Sequence, residues 1–160
     1  MKPSGVRPEV RASDLFPAAG LSGQALRAVP FAAILAEGNE NAVPASPGAY
    51  LIMTVADRHV VGIGSTGSGP KRTGTLAERM GMFVAAALGF PVRHSSGRRF
   101  WATRSAHGLR LADLTVICLP GEDARGIECK LFDAYQAASG HLPMLCKARP
   151  RCYERGLADR

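Results

Sequence analysis

Several absences narrow what this chain of 160 residues can do. No run of about 18 uncharged apolar residues occurs, so no segment reads as a membrane-spanning helix. The opening "MKPSGVRPEVRASDLFP" has no apolar stretch like that of a secretion signal, and a cytoplasmic protein is expected. Cysteine is sparse and never arranged as C-x-x-C, so zinc is not expected. Cys118, Cys129, Cys146 and Cys152 read as free thiols in a reducing compartment. No internal repeat or linker is visible, and one domain accounts for the length.

Acid is scarce where base is dense. From Lys71 to Arg110 there are eight basic residues (Lys71, Arg72, Arg79, Arg93, Arg98, Arg99, Arg104, Arg110) and one acid, Glu78. That surplus equals the net charge of the whole chain, +7. So concentrated a field favours a polyanion, and phosphate backbones are the common one. Phe100 and Trp101, beside Arg98 and Arg99, add rings able to stack on bases, although Trp101 also reads as a core residue.

Apolar periodicity sketches the elements. Residues 22–37 read as one helix, interrupted or restarted at Pro30. "AYLIMTV" and "VVGIG" read as two strands of an antiparallel hairpin. A helix from Thr75 to Leu88 carries the stripe Leu76, Met80, Phe83, Val84 and Ala87. The stretch 89–110 reads as irregular, "LADLTVICLP" as a third strand, and "GEDARGIECKLFDAYQAASG" as a helix stopped by Gly140.

Gly62, Gly64 and Gly67 spell G-x-G-x-x-G, the pattern of a dinucleotide loop. Its context is wrong. Two strands precede it, the next helix starts about eight residues too late, and no acid stands about 20 residues on. A Walker loop fails because Pro70 sits where lysine is required. Three other residues stand out. Arg79 falls at the edge of its helix's apolar stripe. Glu128 falls inside the face formed by Ile127, Leu131, Phe132, Tyr135 and Ala138, where a carboxylate needs a cation, either an arginine or a metal ion. Tyr50 opens the first strand, in packing or at its rim.

The order "PGAYLI", "VVGIGS", "TLAERM", "GIECKLFDAY" and "GHLPMLC" resembles the GIY-YIG nuclease domain over roughly residues 44–148. Residues 1–43 then form an N-terminal extension with one helix, and 149–160 a basic tail. The resemblance implies an α/β (α+β) fold, a small antiparallel three-stranded sheet flanked by helices. It implies cleavage of DNA phosphodiester bonds with one Mg²⁺ or Mn²⁺. Glu128 would hold the metal, Arg79 would neutralise the scissile phosphate, and Tyr50 would position or deprotonate the attacking water. DNA is expected along Lys71, Arg72, Arg93, Arg98, Arg99 and Arg104. The second tyrosine of the family falls at Val60 and the closing asparagine at Cys146. His59 points away from that position on its strand. His94 reads as a surface histidine of the basic loop, or as an accessory group for proton transfer or phosphate contact. A non-catalytic nucleic-acid-binding module of the same fold and a structural or protein-interaction domain remain alternatives.

Overall fold

The computed structural model describes residues 10–21, 27–37, 42–66 and 74–152. Its elements are α1 (Ala12–Ala18), β1 (Ala28–Pro30), α2 (Phe31–Glu37), β2 (Gly48–Thr54), β3 (Val60–Ser65), α3 (Leu76–Ala87), α4 (Ser95–Ala102), α5 (Arg104–His107), β4 (Leu114–Pro120) and α6 (Ala124–Ser139). A 3₁₀ turn, Leu111–Asp113, leads into β4.

The strands form one antiparallel sheet in the order β1-β4-β2-β3. β2 lies between β3 and β4, and its residues from Gly48 to Met53 are all buried. Alternation along the strands sends side chains to two separate cores. Leu51, Met53, Ile63 and Leu119 pack with Leu15 of α1 and with Leu131, Phe132 and Tyr135 of α6. Tyr50, Ile52, Val61 and Val116 pack with Phe31 of α2, Leu76, Met80 and Phe83 of α3, and Phe100 of α4. The sheet is thus covered by helices on both faces.

The mixed α/β character and the antiparallel hairpin agree with the sequence, but the sheet has four strands among the described residues rather than three. The extra one, β1, comes from the stretch expected to be helical. Val29 precedes Pro30, whose ring disfavours helical backbone at that position. Val29 instead pairs with Val116 at the sheet edge, where a proline without an N–H is tolerated. The helix begins only at Phe31, and residues 22–26 lie outside the described residues. The stretch ahead of residue 44 therefore carries two described helices and a strand, where one helix was expected.

The second difference is α4 and α5, within a stretch read as irregular. α4 turns small residues inward: Ser96 and Gly97 are buried beside Phe100, and Gly97 lies against the Phe83 carbonyl and Ala86 of α3. A face of this kind leaves little apolar periodicity to read. α6 ends as expected at Gly140, in the left-handed conformation. Among the described residues no helix is long and apolar enough to cross a membrane.

The third difference concerns cysteine. Cys129 on α6 and Cys152 are disulfide-bonded, while Cys118 and Cys146 are free. Arg149 reinforces the link by bonding Gln136 and Asp133 on α6. The bond spans 23 residues of sequence. Its removal by Cys152→Ser should lower stability by about 3 kcal/mol, read as a fall in melting temperature. An unchanged melting temperature, with no effect of reductant on the parent protein, would contradict the pairing.

Candidate active site

Local capping places two of the three conspicuous residues. The Thr75 hydroxyl accepts from the Glu78 N–H at 3.2 Å and starts the helix that carries Arg79. The Asp123 carboxylate accepts from the Gly126 N–H at 3.3 Å and starts the helix that carries Glu128. Such caps contribute about 1 kcal/mol each.

Tyr50 and Glu128 approach from opposite faces of the sheet. Tyr50 belongs to the core on the α3 side, and α6 covers the other side. They meet over the edge strand β3. Tyr50 pairs with Gly64 across the hairpin, and a Cβ built on Gly64 would collide with the Tyr50 hydroxyl. The missing side chain at Gly64 is what lets the phenol reach the edge. The result is a cleft of about 300 Å³ lined by Tyr50, Gly64, Ser65, Arg79, Glu128 and Cys146, among others.

Glu128 is 7% exposed. Ser65 Oγ donates to its Oε2 at 2.6 Å, and Arg125 Nη1 lies 3.5 Å from the same oxygen. Oε1 accepts no hydrogen bond among the described residues. Burial raises the carboxyl pKa; the Ser65 hydrogen bond and the charges of Arg125 and Arg79 oppose this without cancelling it. Arg79 forms no ion pair with Glu128; it is half-buried, and its Nε is buried without a partner among the described residues.

His94 is not a surface residue. It is 2% exposed and caps α4, its Nδ1 accepting from the Gly97 N–H at 3.2 Å. That bond assigns the proton to Nε2, which then donates to the Tyr50 oxygen at 3.1 Å. Burial first, then Arg79, lowers its pKa to about 3, so the ring is neutral. Burial also raises the Tyr50 pKa strongly, against the pull of Arg79. Tyr50 is therefore a neutral phenol whose oxygen is held by His94 and whose own proton remains available. Cys146 is buried in the cleft wall with its thiol pushed up to about 11, chiefly by burial.

A second groove of about 560 Å³ shares Arg79, Ser95 and Lys147 with the cleft and adds Arg93, Arg98 and Arg99. Arg99 Nε donates to the Met144 carbonyl at 2.9 Å and so also ties α4 to the closing segment. Arg104 does not line this groove; its guanidinium lies 3.7 Å from the centre of the Trp101 ring. Trp101 is 40% exposed rather than in the core, which Phe100 enters instead. Lys71 and Arg72 lie outside the described residues. Val60 and His59 line a different cavity, with His107, Tyr135 and His141. Val60 therefore does not stand beside Tyr50 in the cleft.

Sequence reasoning missed Ser65, Arg125 and Lys147. Arg125 carried a usable signal, since it stands three residues before Glu128 on one helix face. Ser65 carried none, because its contact depends on how α6 sits over β3. Among the described residues no cluster of three His, Cys, Asp or Glu side chains is placed to hold a metal ion. The cleft offers one carboxylate oxygen, Glu128 Oε1. Comparison with protein-family models, curated proteins and solved structures gives no match.

Two pH effects follow. A raised carboxyl pKa favours folding while protonated, below the ordinary value of 4.5, and that advantage is lost as pH rises through the folded-state pKa. Glu128→Gln should therefore raise the melting temperature at pH 7 and have little effect at about pH 4. A fall at pH 7 would mean that the Arg125 pair outweighs burial. For His94 the sign is opposite: its stability contribution is present above 6.5 and lost as pH falls toward 3. The parent protein should lose roughly 1.5 kcal/mol between pH 6.5 and about 5 from this group, a loss that His94→Gln removes. Parallel pH–stability curves for the two proteins would contradict the assignment.

Proposed function

We propose that the cleft hydrolyses phosphodiester bonds in DNA with one divalent cation, Mg²⁺ or Mn²⁺, and that residues 44–148 are a GIY-YIG-like nuclease domain. The observation that carries this reading is the meeting of Tyr50, Arg79 and Glu128 in one cleft that opens onto an arginine-lined groove. The antiparallel trio β4-β2-β3 agrees with the three-stranded sheet implied by the motifs, with β1 as an addition.

Glu128 Oε1 suits a hard cation that takes one carboxylate and fills its remaining positions with water and substrate oxygens. The cation would supply Lewis-acid stabilisation of the phosphoryl oxygens. Arg79, whose Nε has no partner among the described residues, would take the charge of the scissile phosphate. Tyr50 would orient the attacking water; its raised pKa favours that role over proton removal. His94 would hold the phenol in place.

One observation favours binding without cleavage: Arg125 lies against Glu128, the only carboxylate among the described lining residues of the cleft. On that second reading the same fold holds nucleic acid as a non-catalytic module. A cytoplasmic location remains part of the proposal, with the Cys129–Cys152 bond as the observation against it.

Purified protein should nick supercoiled DNA with Mg²⁺ or Mn²⁺ and not in chelator. Glu128→Ala should abolish nicking, and Arg79→Ala or Tyr50→Phe should slow it by about 10²–10³-fold. Nicking that survives Glu128→Ala would overturn the metal assignment. Salt-sensitive DNA binding with no nicking in either metal would favour the module.

A further inference from the structure

Past the far end of α4 lies a corner that the cleft chemistry does not use. Leu88, Phe90 and Trp101 are exposed by 45%, 60% and 40%. Gly89 has φ +92°, and a Cβ there would sit 2.8 Å from Trp101 Cε2, so only glycine lets the chain lie against the indole. On the ring lies the Arg104 guanidinium, with Nη1 donating to the Trp101 carbonyl at 2.6 Å. Arg104 is itself exposed. Isolated surface aromatics are ordinary. Here Trp101 belongs to a built stack with Arg104, and its chain neighbour Ala102 lines a groove with no carboxylate among its described lining residues.

We infer that this corner stacks unpaired bases, so that the preferred substrate carries a single-stranded segment on the α4 side of the cleft. The inference rests on the reading of the cleft as a phosphodiester site. α4 has eight residues and is about 12 Å long. A strand leaving the cleft at Ser95 passes Arg98 and Arg99 and reaches Trp101 within a few nucleotides. Phosphates alone require only the arginines. Bases inside an intact duplex are stacked on one another and present no free face to a ring, whereas unpaired bases stack on aromatic side chains and on guanidinium planes. The cations Arg93 and Arg98 at the groove suit the accompanying backbone, and Lys147 continues them toward the cleft.

Trp101 is the only tryptophan of the chain, so its emission reports this corner alone. Full-length protein in chelator is titrated with a short single-stranded oligodeoxynucleotide and with a blunt duplex carrying the same number of phosphates. The single strand should change Trp101 emission and bind about tenfold tighter than the duplex. Arg98→Ala should weaken binding and reduce the slope of log K against log salt by about 0.7. Phe90→Ala should weaken single-strand binding by about tenfold and leave duplex binding unchanged. Unchanged emission at saturation with single strand, followed by anisotropy, would overturn the inference; so would an equal response to duplex. An acidic protein that displaces nothing but alters emission, with the single strand silent, would likewise reassign the corner. This readout needs neither metal nor cleavage. Silent emission with intact nicking removes the strand inference alone, and a clear emission response without Glu128-dependent nicking removes the nuclease reading alone.

Discussion

The carboxylate of Glu128 is the constraint around which the cleft is arranged. It sits on the inward face of α6, and burying it unaided costs several kcal/mol. The chain offsets that cost only in part. Ser65 donates to one oxygen, Arg125 lies near that same oxygen, and Arg79 contributes charge without contact. The net pKa stays raised, and Oε1 accepts no hydrogen bond among the described residues. A core designed only for stability would place an apolar side chain at this point. On the reading proposed above, a half-compensated charge held there is a group that waits for a cation.

Sheet geometry makes the rest possible. A phenol on one face and a carboxylate over the other can meet only at an edge, and only where the edge strand is thin. β3 supplies that edge, with Gly64 opposite Tyr50. His94 completes the arrangement from α4. One ring nitrogen caps the helix and the other holds the phenol, so a single neutral imidazole links helix start to cleft. The groove beyond it is then positioned by α4, which packs on α3 closely enough to require small residues at the contact.

How far the sequence could be read depended on whether a signal was local. The strands β2, β3 and β4 and the helices α3 and α6 were legible, because apolar period and punctuation agree over each of them. The buried placement of Glu128 was legible for the same reason. β1 was not: its three residues carry too short a pattern, and the apolar run around it has helical character. α4 was hidden because Ser96 and Gly97 form its contact face. The burial of His94, the exposure of Trp101 and the bond between Cys129 and Cys152 all depend on packing between distant segments. The glycines 62 and 64 were visible, but the use of Gly64 became clear only from its pairing with Tyr50.

The central claim is that Glu128 brings a divalent cation to the place where Tyr50 and Arg79 converge. Its most direct measurement is paramagnetic broadening of backbone amide resonances as Mn²⁺ is added to the full-length protein bound to DNA. The account predicts that Gly64, Ser65, Glu128 and Cys146 broaden first, and that the same residues stay sharp in Glu128→Gln. Broadening that is indifferent to Glu128→Gln, or that centres elsewhere while nicking proceeds, would contradict it.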